Sequence, residues 1–436
     1  MWVGVDDTDS PRGGCTTYVL TELIALARRR GLDLLGSPRL VRLNPNIPWK
    51  TRGNAALSAR FGHGVGPRTR VGEIDGEPVW SYARGGAPGP AERSSFSEAA
   101  WALVRAAAAG GGSGTDPALV VTEHRLPARY YWDAVRSVVP VAQARTALEG
   151  QGAWFQWEGS EQGLVGAAAA VAWPGSHPTW ELIAYRTRDR WGTSRSVDPE
   201  SVRNAQREYP HLFLCYDERT RRLLVAPHTP CPILFGLRST DRVSPLRAFP
   251  LIRSEPVDRY LVFRTNQGSG DHLILRPDPS WPPLTSGWAT GRVSRAPTVL
   301  RGGHVRFDVA LASGRSVKCV AFEPTKTLPH VARTLVPGDR VRVWGSRSDD
   351  GTVRLEGITV LAWARQAPNR SAPTCPKCLR RTESYGTLRG YRCRRCKTHL
   401  PPEAGPPRPR PPPLPVGTYH PTPSARRHLA PRGPET

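Results

Sequence analysis

The sequence predicts an α+β protein of several domains that ends in a small β-barrel and a cysteine-rich segment. Three observations lead to this prediction: a length of 436 residues, five β runs arranged around one helix, and two CxxC elements. A chain of that length usually forms two to four domains. Hydrophobic residues make up 39% of the chain and charged residues 22%, which is enough apolar material for sizeable cores.

The charge of the chain favours a polyanionic partner. Lys and Arg number 61 against 37 Asp and Glu, for a formal net charge of +24, and each phosphate that they neutralise releases condensed counterions. A GC-rich genome accounts for the scarcity of Lys, but not for the basic excess. The longest apolar run, Val165–Trp173, is too short to cross a membrane. The N-terminus is acidic where a signal peptide would be basic and then apolar, so we expect a cytoplasmic protein.

The first region, residues 1–125, has the order β-α-β-β-α-β of a ferredoxin-like split unit. The predicted elements after the strand WVGVDDTD are a helix at Cys15–Arg30, strands at Leu34–Leu43 and Asn54–Phe61, a helix at Phe96–Ala109 and a strand at Ala118–Glu123. We expect a loop over Pro67–Ala91 and a flexible connector in the glycine-rich run after Ala109. That run is not a phosphate loop, because no strand leads into it and no Lys follows.

Two further regions follow. Residues 126–265 show helical patterns at Ala134–Leu148 and Gly163–Trp173 and strand-like runs at Trp180–Tyr185, Leu212–Tyr216, Leu223–Pro227 and Ile233–Leu237. Residues 280–365 contain five β runs, at Gly287–Ser294, His304–Ala312, Ser316–Phe322, Arg340–Gly345 and Val353–Ala362, with a helical stretch at Thr325–Leu335. Five strands with a helix between the third and fourth are the layout of an OB-fold barrel.

Four cysteines within residues 370–400 predict a zinc ribbon. Cys375, Cys378, Cys393 and Cys396 form two CxxC turns, and two such turns complete a tetrahedral Zn²⁺ site. The alternatives are a reducible disulfide or unpaired thiols; a catalytic zinc is excluded because four Cys leave no open coordination position. Basic neighbours would face nucleic acid. Beyond the ribbon, Pro401–Pro415 is expected to be a polyproline-II spacer, and the basic segment SARRHLAPR is too short to fold alone.

An acidic turn lies at the end of the first strand. Asp6, Asp7 and Asp9 could hold Mg²⁺, which binds one or two carboxylates together with phosphate oxygens. Just beyond it, Gly14, Cys15, Thr16 and Thr17 open a helix, whose exposed amides favour phosphate. The alternative is an ordinary capped helix after an acidic turn.

The segment NPNIPWKTRGN, residues 44–54, contains the first Lys of the chain, Lys50. Its Asn, Lys, Thr and Arg side chains, in a loop stiffened by prolines, suit a nucleotide or an RNA backbone. The alternative is an ordinary connector between two strands. The isolated cysteines Cys15, Cys215, Cys231 and Cys319 are expected to be buried thiols and not nucleophiles.

Several of these segments together resemble one known family. GVDDTDSPRGGCTTY, RLVRLNPNIPWKTRGNAA, ELIAYR, HTPCPILFGLR, VKCVAFEPTK and PSARRHL are similar, in the same order, to the archaeal agmatinylcytidine synthetases of isoleucine tRNA, the TiaS family. The resemblance runs from residue 2 to about residue 430. It implies a kinase-like ATP-binding domain over 1–125, a ferredoxin-like domain over 126–265, an OB-fold over 280–365, a zinc ribbon over 370–400 and a Pro-rich basic tail over 401–436.

The resemblance also implies an activity. Members of the family replace the C2 oxygen of the wobble cytidine in the CAU anticodon of isoleucine tRNA with agmatine, so that AUA is decoded. ATP is cleaved to AMP and pyrophosphate, and the C2 oxygen is phosphorylated on the way. Phosphorylation meets a chemical need, since the oxygen leaves poorly until it carries a phosphate.

Roles carried over by motif are implied for individual residues. Asp6, Asp7 and Asp9 would bind Mg²⁺ and the ATP phosphates together with Gly14, Cys15, Thr16 and Thr17; Thr16 would be self-phosphorylated; Lys50 and Arg52 would stabilise charge on the transferred phosphate. Cys375, Cys378, Cys393 and Cys396 would hold structural Zn²⁺. The residues expected to bind tRNA are Lys377, Arg392, Arg394, Arg395, Lys397, Arg426 and Arg427. For agmatine, Asp217 or the TPCP turn at 229–232 is suggested.

Two other function classes are compatible with parts of the sequence. A non-catalytic RNA-binding protein could combine an OB-fold with a zinc ribbon, but it has no use for three carboxylates facing a phosphate polymer. A different nucleotidyl or phosphoryl transferase could use the same domains on another RNA, and only the RNA substrate separates that hypothesis from the first.

Overall fold

The structure is a computed structural model that describes residues 1–50, 53–109, 114–276, 281–364, 369–386, 389–408 and 413–432. The predictions made for Arg52 and for the glycine-rich run 110–113 lie outside these residues. The elements of the first 158 residues are β1 (Trp2–Asp6), α1 (Thr16–Arg29), β2 (Asp33–Leu35), β3 (Arg39–Arg42), β4 (Ala55–Ile74), β5 (Glu77–Gly86), α2 (Pro90–Ala109), β6 (Ala118–Thr122), α3 (Ala128–Arg136), α4 (Val141–Glu149) and β7 (Trp154–Trp157).

The next segment continues the mixed pattern. Its elements are α5 (Gln162–Ala172), β8 (Thr179–Arg186), α6 (Pro199–Glu208), β9 (Tyr216–Asp217), β10 (Arg222–Leu223), β11 (Ile233–Ser239), α7 (Ser244–Ala248), β12 (Val257–Thr265) and β13 (Leu273–Leu275). Short 3₁₀ turns at Arg188–Arg190 and Phe249–Leu251 join them.

One ten-stranded sheet joins the first two predicted regions. Its main path is β11-β8-β12-β3-β4-β1-β6-β7, and β2 and β5 pair with the outer part of β4. Most neighbours are antiparallel, and the single parallel pair on the main path is β12 with β3. The sheet is continuous because β12, from the end of the second region, inserts between β8 and the strands of the first.

Helices cover both faces of this sheet. Alternate residues of β1 and β6, such as Val3 and Leu119, pack with α1 and α2 in one core, whereas Val120 packs with α3, α4 and α5 in the other. The alanines of α5, Ala167–Ala170, are fully buried against the sheet. Their small side chains let the helix approach the backbone of β1 closely, which places the start of α5 beside the end of that strand.

Several local predictions for the sheet were wrong. The stretch Pro67–Ala91 is not a loop: β4 extends to Ile74 and forms a long hairpin with β5. Its turn is Asp75–Gly76, with φ of 54° and 76°, the Asp-Gly turn that matches the twist of paired strands. The predicted strand over 34–43 is two strands, β2 and β3, so the order of the first region is not the simple ferredoxin-like one.

Two errors concern the second region. The single helix predicted over 134–148 is α3 and α4, separated by Ser137–Pro140, because Pro140 cannot continue the hydrogen bonding of α3. The runs at 212–216 and 223–227 contain only the two-residue strands β9 and β10. The small-residue helix and the strands at 180–185 and 233–237 are confirmed within a few residues.

The third region is a closed five-stranded barrel. Its elements are β14 (Ser286–Val293), β15 (Thr298–Val299), β16 (Val305–Leu311), β17 (Ser316–Ala321), α8 (Thr327–Thr334), β18 (Arg340–Arg347) and β19 (Val353–Ala362). The five long strands pair in the ring β14-β16-β17-β19-β18 and back to β14. This ring confirms the predicted barrel, with α8 between the third and fourth strands as expected for an OB-fold.

The ribbon and tail complete the chain. Their elements are β20 (Asn369–Arg370), β21 (Glu383–Ser384), β22 (Tyr391–Arg392), β23 (His399–Leu400), β24 (Pro407–Arg408) and β25 (Gly417–Tyr419). The predicted polyproline spacer is partly ordered by pairing, since β24 pairs with β20. The α+β multidomain class, the barrel and the ribbon are therefore confirmed, while the labels kinase-like and ferredoxin-like stay predictions. Among the described helices, none has the length and apolarity to cross a membrane.

Candidate active site

A cleft of about 550 Å³ opens at the carboxyl end of β1. Its walls come from the turn after β1, the start of α1, the loop between β3 and β4, the start of α5, strands β8 and β11, and the C-terminal tail. The polar side chains in its lining are Asp6, Asp7, Asp9, Cys15, Thr16, Thr17, Arg42, Lys50, Asn54, Gln162, Glu181, His228, Thr229, Arg238 and His428. The structure thus brings the acidic turn, the helix start and the Lys50 loop together, although Lys50 lies more than thirty residues beyond Thr17 along the chain.

The acidic turn is a crowded group of carboxylates. Asp6 accepts a hydrogen bond of 2.8 Å from the backbone N–H of Asp7, which has a positive φ of 56°. Burial and the neighbouring charge of Asp7 raise the pKa of Asp6 well above its usual range. Burial, Asp116 and Asp9 raise the pKa of Asp7 to about 7. Carboxylates of this kind supply hard oxygen ligands, and one or two of them suffice for Mg²⁺ when phosphate oxygens complete its coordination.

Helix α5 holds Asp6 in place. Gly166 lies so close to the Asp6 carboxylate that a β-carbon at position 166 would come within 1.7 Å of its Oδ2. No side chain therefore fits between the helix and the carboxylate. Gln162 and Gly163, at the start of the same helix, also line the cleft.

Thr16 is the first residue of α1 and faces the acidic turn. Its hydroxyl donates to Asp9 Oδ1 at 3.3 Å and accepts from the Thr8 hydroxyl at 3.2 Å. Gly14, with φ of 76°, turns the chain back so that these groups meet. The Cys15 thiol contacts the Thr17 hydroxyl at 3.0 Å. Burial raises the pKa of Cys15 to about 12, so the thiol stays protonated near neutral pH.

Lys50 reaches the cleft from the loop of residues 44–50. Its ammonium donates to the carbonyls of Pro45 at 2.6 Å and Ile47 at 3.0 Å. Burial and the nearby charge of Arg427 lower the pKa of Lys50. Trp49 beside it is 55% exposed at the same cleft. Arg52, which the sequence pairs with Lys50, lies outside the described residues.

Sequence reasoning missed several charged groups of the cleft. Arg42 is half-buried, its buried Nε has no hydrogen-bond partner among the described residues, and desolvation lowers its pKa to about 10. Glu181 on β8 forms an ion pair of 3.3 Å with Arg238 on β11. Arg42 and Glu181 occur within the motifs RLVRLNPN and ELIAYR, but only the pairing of distant strands brings them to the acidic turn.

The two suggestions for the agmatine pocket differ in position. The TPCP turn contributes Thr229 and Cys231 to the cleft lining. Asp217 is 2% exposed and does not line that cleft; its Oδ1 instead accepts from the backbone N–H groups of Arg219 and Thr220. Asp217 thus caps its own turn. The isolated cysteines Cys15, Cys215, Cys231 and Cys319 are buried, as expected.

The C-terminal tail contributes His428 to the cleft. The His428 imidazole lies 3.0 Å from the Oε1 of Gln267 and lines the cleft. Arg427, expected to bind tRNA, donates to Asn46 at 2.7 Å and to Glu356 at 2.9 Å. Arg426, also expected to bind tRNA, is half-buried and donates to the carbonyl of Pro421.

The four ribbon cysteines converge. Their sulfur atoms all lie within 4.8 Å of one another, with Cys375–Cys396 and Cys378–Cys393 each at 3.4 Å. A tetrahedron with Zn–S bonds of about 2.3 Å has sulfur atoms about 3.8 Å apart, so the donor set fits structural zinc.

The two turns that carry these cysteines share one geometry. Leu379 donates its N–H to the Cys375 carbonyl and Lys397 donates to that of Cys393, and both donors have positive φ. Around the turns, Lys377, Arg394, Arg395 and Lys397 are exposed and Arg392 is half-exposed. The predicted tRNA-binding side chains of the ribbon therefore have access to a partner.

Comparison with known proteins was made for domains and for the whole chain. Residues 2–158 match the family model described as the TiaS TCKD domain, residues 161–272 the TiaS FLD domain, and residues 372–403 the TiaS C-terminal zinc ribbon domain. A relative from Archaeoglobus fulgidus, named as the isoleucine-tRNA 2-agmatinylcytidine synthetase TiaS, is 36% identical over 99% of this chain and 96% of its own length.

Solved structures agree. A complex of TiaS with its isoleucine tRNA and ATP has 33% identity and a TM-score of 0.81, over 98% of this chain and 95% of that one. A complex of TiaS with the same tRNA, AMPCPP and agmatine has 31% identity and a TM-score of 0.77, over 99% and 96%. On domain matches, full-length identity and shared fold, this chain belongs to the TiaS family.

Proposed function

We propose that this protein is an ATP-dependent 2-agmatinylcytidine synthetase of isoleucine tRNA. It attaches agmatine to C2 of the wobble cytidine in the CAU anticodon of that tRNA, so that AUA is decoded. The observation that carries the proposal is the cleft, where the acidic turn, Thr16 and Lys50 of the family's motifs meet in one site. The function is that of relatives which match this chain over nearly its whole length.

The acidic turn is our candidate for the ATP-binding end of the cleft. Asp6, Asp7 and Asp9 provide oxygen ligands for Mg²⁺, which would bridge them to the ATP phosphates. A bound cation offsets the mutual repulsion that raises the pKa values of Asp6 and Asp7. Thr16 and Thr17 offer hydroxyls and helix-start amides to the phosphates.

Thr16 is also the proposed site of self-phosphorylation. Its hydroxyl already donates to Asp9, whose carboxylate can take up the proton as the oxygen attacks phosphorus. A phosphate on the first residue of α1 is stabilised by the positive end of the helix dipole. Lys50 and Arg52 would stabilise negative charge on the transferred phosphoryl group.

The reaction couples cleavage of ATP, to AMP and a pyrophosphate unit, to activation of the cytidine: one phosphoryl group of that unit passes to the C2 oxygen, and the other is released as phosphate. Phosphorylation turns the C2 oxygen into a leaving group, and the agmatine amine then attacks C2 and expels phosphate. Agmatine needs a free amine at one end and a bound cation at the other. Glu181 and the TPCP turn, on adjacent strands of the cleft, are the groups that we propose for the cation.

The tRNA is held outside the cleft. We assign its anchoring to the exposed basic residues of the ribbon, Lys377, Arg394, Arg395 and Lys397, with Arg392, and to Arg426 of the tail. Arg427, expected from the sequence to bind tRNA, is instead held by Asn46 and Glu356 and is not part of this proposed anchor. Structural zinc in the Cys₄ site would fix these side chains as one surface. We place the reaction in the cytoplasm, where tRNA is used.

The decisive experiment is a reaction containing the purified protein, ATP, agmatine, Mg²⁺ and a transcript of the CAU-anticodon isoleucine tRNA. Nucleoside mass spectrometry should detect agmatinylcytidine with agmatine and none when lysine replaces it. Asp7→Ala is the matched control, because it removes a carboxylate of the acidic turn and leaves the ribbon intact. Failure of the wild-type protein to form the nucleoside while it binds the transcript would refute the proposed function.

A further inference from the structure

We propose that residues 417–432, here called the tail strap, are a positioning element of the active site. Within it, Arg427 and His428 hold the loop of residues 44–50, which carries Lys50, against the barrel and the cleft wall. They act through the loop and not on the substrate. The proposal rests on the proposed function only in its kinetic test, which measures agmatinylcytidine formation.

Both ends of the strap are built into folded domains. At its start, β25 adds to the barrel strand β19, with Gly417 opposite Val360 and Tyr419 opposite Ile358. At its end, the carbonyls of His428 and Leu429 accept the N–H groups of Gly268 and Gly270 at 2.8 and 2.9 Å.

The side chain of Leu429 secures that second anchor. Leu429 is 1% exposed and packs in the core formed by α3, α4 and α5. The strap is therefore attached at both ends, to the barrel and to the domain of the ten-stranded sheet, although its basic segment was expected to be too short to fold alone.

Arg427 joins three parts of the molecule. One nitrogen, Nη1, donates both to Asn46 of the loop at 2.7 Å and to Glu356 of β19 at 2.9 Å. Glu356 is 5% exposed, and its second oxygen lies 2.9 Å from the buried His272 Nε2. Arg427 and His272 hold the pKa of Glu356 below its usual range despite burial, so the carboxylate stays charged and retains Arg427.

The loop has a second attachment to the barrel at the same residue. The Asn46 amide donates to the Ser286 hydroxyl at 2.9 Å, and the neighbouring Asn44 donates to the Leu284 carbonyl at 2.9 Å. The Asn46 carbonyl oxygen is thereby turned toward Arg427. The barrel and the strap together fix the base of the loop from which Lys50 reaches the cleft.

His428 forms the cleft wall next to this loop. Arg42, burial and Arg238 lower its pKa well below the usual range, so the ring is neutral. Because Gln267 uses its N–H on Glu181, its Oε1 is an acceptor, and the proton lies on His428 Nδ1. The ring lies beside Gly53 at one edge and bonds through Gln267 to Glu181 at the other. It therefore connects the chain just after the loop to the Glu181 wall of the cleft.

A purely structural strap would affect stability or tRNA affinity, whereas a positioning strap affects turnover and the order of the loop. A misplacement of about 1 Å in a catalytic group can cost about 100-fold in rate. We therefore expect Arg427→Ala to lower kcat for agmatinylcytidine formation by about that factor, with tRNA Kd close to wild type. Both are measured well below the unfolding temperature of the variant, because the buried Glu356 carboxylate loses one of its partners. Guanidinium ion should restore part of the lost rate.

The control is Arg203→Ala. Arg203 also forms an ion pair, with Glu218 at 3.0 Å, but on the exposed helix α6 away from the cleft. It should leave kcat unchanged and should not respond to guanidinium. A parallel loss of tRNA affinity in Arg427→Ala, or an unchanged kcat, would overturn the proposal.

A second readout does not need activity. Hydrogen exchange of free wild-type protein and of the variants reports the order of residues 44–50 directly. We expect exchange in this loop to be about tenfold faster in Arg427→Ala and at least as fast in Asn46→Ala, which also loses the bond to Ser286. The double variant should exchange no faster than Asn46→Ala, since that variant already lacks the contact with Arg427. Unchanged exchange in the single variants, or additive effects in the double variant, would refute the positioning role whether or not the wild-type protein makes agmatinylcytidine. Failure of the wild-type protein to make agmatinylcytidine would by itself refute only the proposed function.

Discussion

Replacing Gly166 with alanine puts a methyl group where Asp6 now holds its carboxylate. The new β-carbon would lie 1.7 Å from Asp6 Oδ2, and an ordinary contact needs at least 3.4 Å, so the oxygen must retreat by about 1.7 Å. Displacements of about 1 Å cost about 100-fold in rate. We therefore expect Gly166→Ala to lower kcat by 100-fold or more, about 3 kcal/mol in the activation barrier.

The effect on stability should be much smaller. Alanine favours a helix over glycine by about 1 kcal/mol, while overpacking at a tight site costs about 1–3 kcal/mol, so the two partly cancel. The assay is single-turnover formation of agmatinylcytidine, with urea unfolding measured in parallel. Gly86→Ala, at the end of β5, is the matched control, because a β-carbon there would meet no atom within 4 Å. A Gly166→Ala protein with kcat within threefold of wild type would refute the view that α5 holds Asp6 for catalysis.

Three other predictions follow from the cleft and the ribbon. The pKa of Asp7 is raised to about 7 in the folded state from an unfolded value of 3.8, so its contribution to stability is present at pH 4 and lost as the pH rises through 7. In urea unfolding with EDTA, the free energy of unfolding of Asp7→Asn should rise relative to wild type between pH 5 and 8, by at most about 4 kcal/mol. Equal pH dependence of the two proteins would contradict this. Cys378→Ser should lower the zinc content and should weaken tRNA binding much more than ATP cleavage, because the Cys₄ site is incomplete. Metal analysis measures the zinc and filter binding the tRNA affinity. Unchanged tRNA affinity would count against the ribbon as a tRNA-binding element. Trp49→Ala should raise KM for tRNA by about tenfold while Trp49→Phe stays near wild type, since an exposed aromatic ring at the cleft can stack on a base; equal effects of the two variants would exclude stacking.

The parts of the molecule that the sequence predicted well are those in which the interacting residues are close along the chain. The barrel strands show alternating burial, and short turns join β16 to β17 and β18 to β19. The two CxxC turns of the ribbon each contain both of their ligands. Asp9 and Thr16, which meet in the cleft, are only seven residues apart. Such contacts follow from local pattern, because a turn and a helix start bring their own neighbours together.

The parts that the sequence did not predict depend on pairing between distant segments. No short-range pattern places β12 between β8 and β3, yet that insertion brings Glu181 and Arg238 toward the acidic turn. The hairpin of β4 and β5 was missed for a different reason. Its Asp75–Gly76 turn was a readable signal, but the many glycines and prolines around it favoured a loop.

Residue chemistry and spacing predicted the acidic turn, the four-cysteine ribbon and the barrel, and the resemblance of the motifs to a known family predicted the family, since each is encoded within short segments. The tail shows what tertiary structure decided. The sequence predicted tRNA binding by Arg427, in a basic tail, and no role for His428, but Arg427 binds Asn46 across 381 positions and His428 meets Gln267 across 161. Burial of Leu429 in the core, together with the hydrogen bonds to Gly268 and Gly270, holds the tail there, because the hydrophobic effect depends on which surfaces the completed fold leaves open.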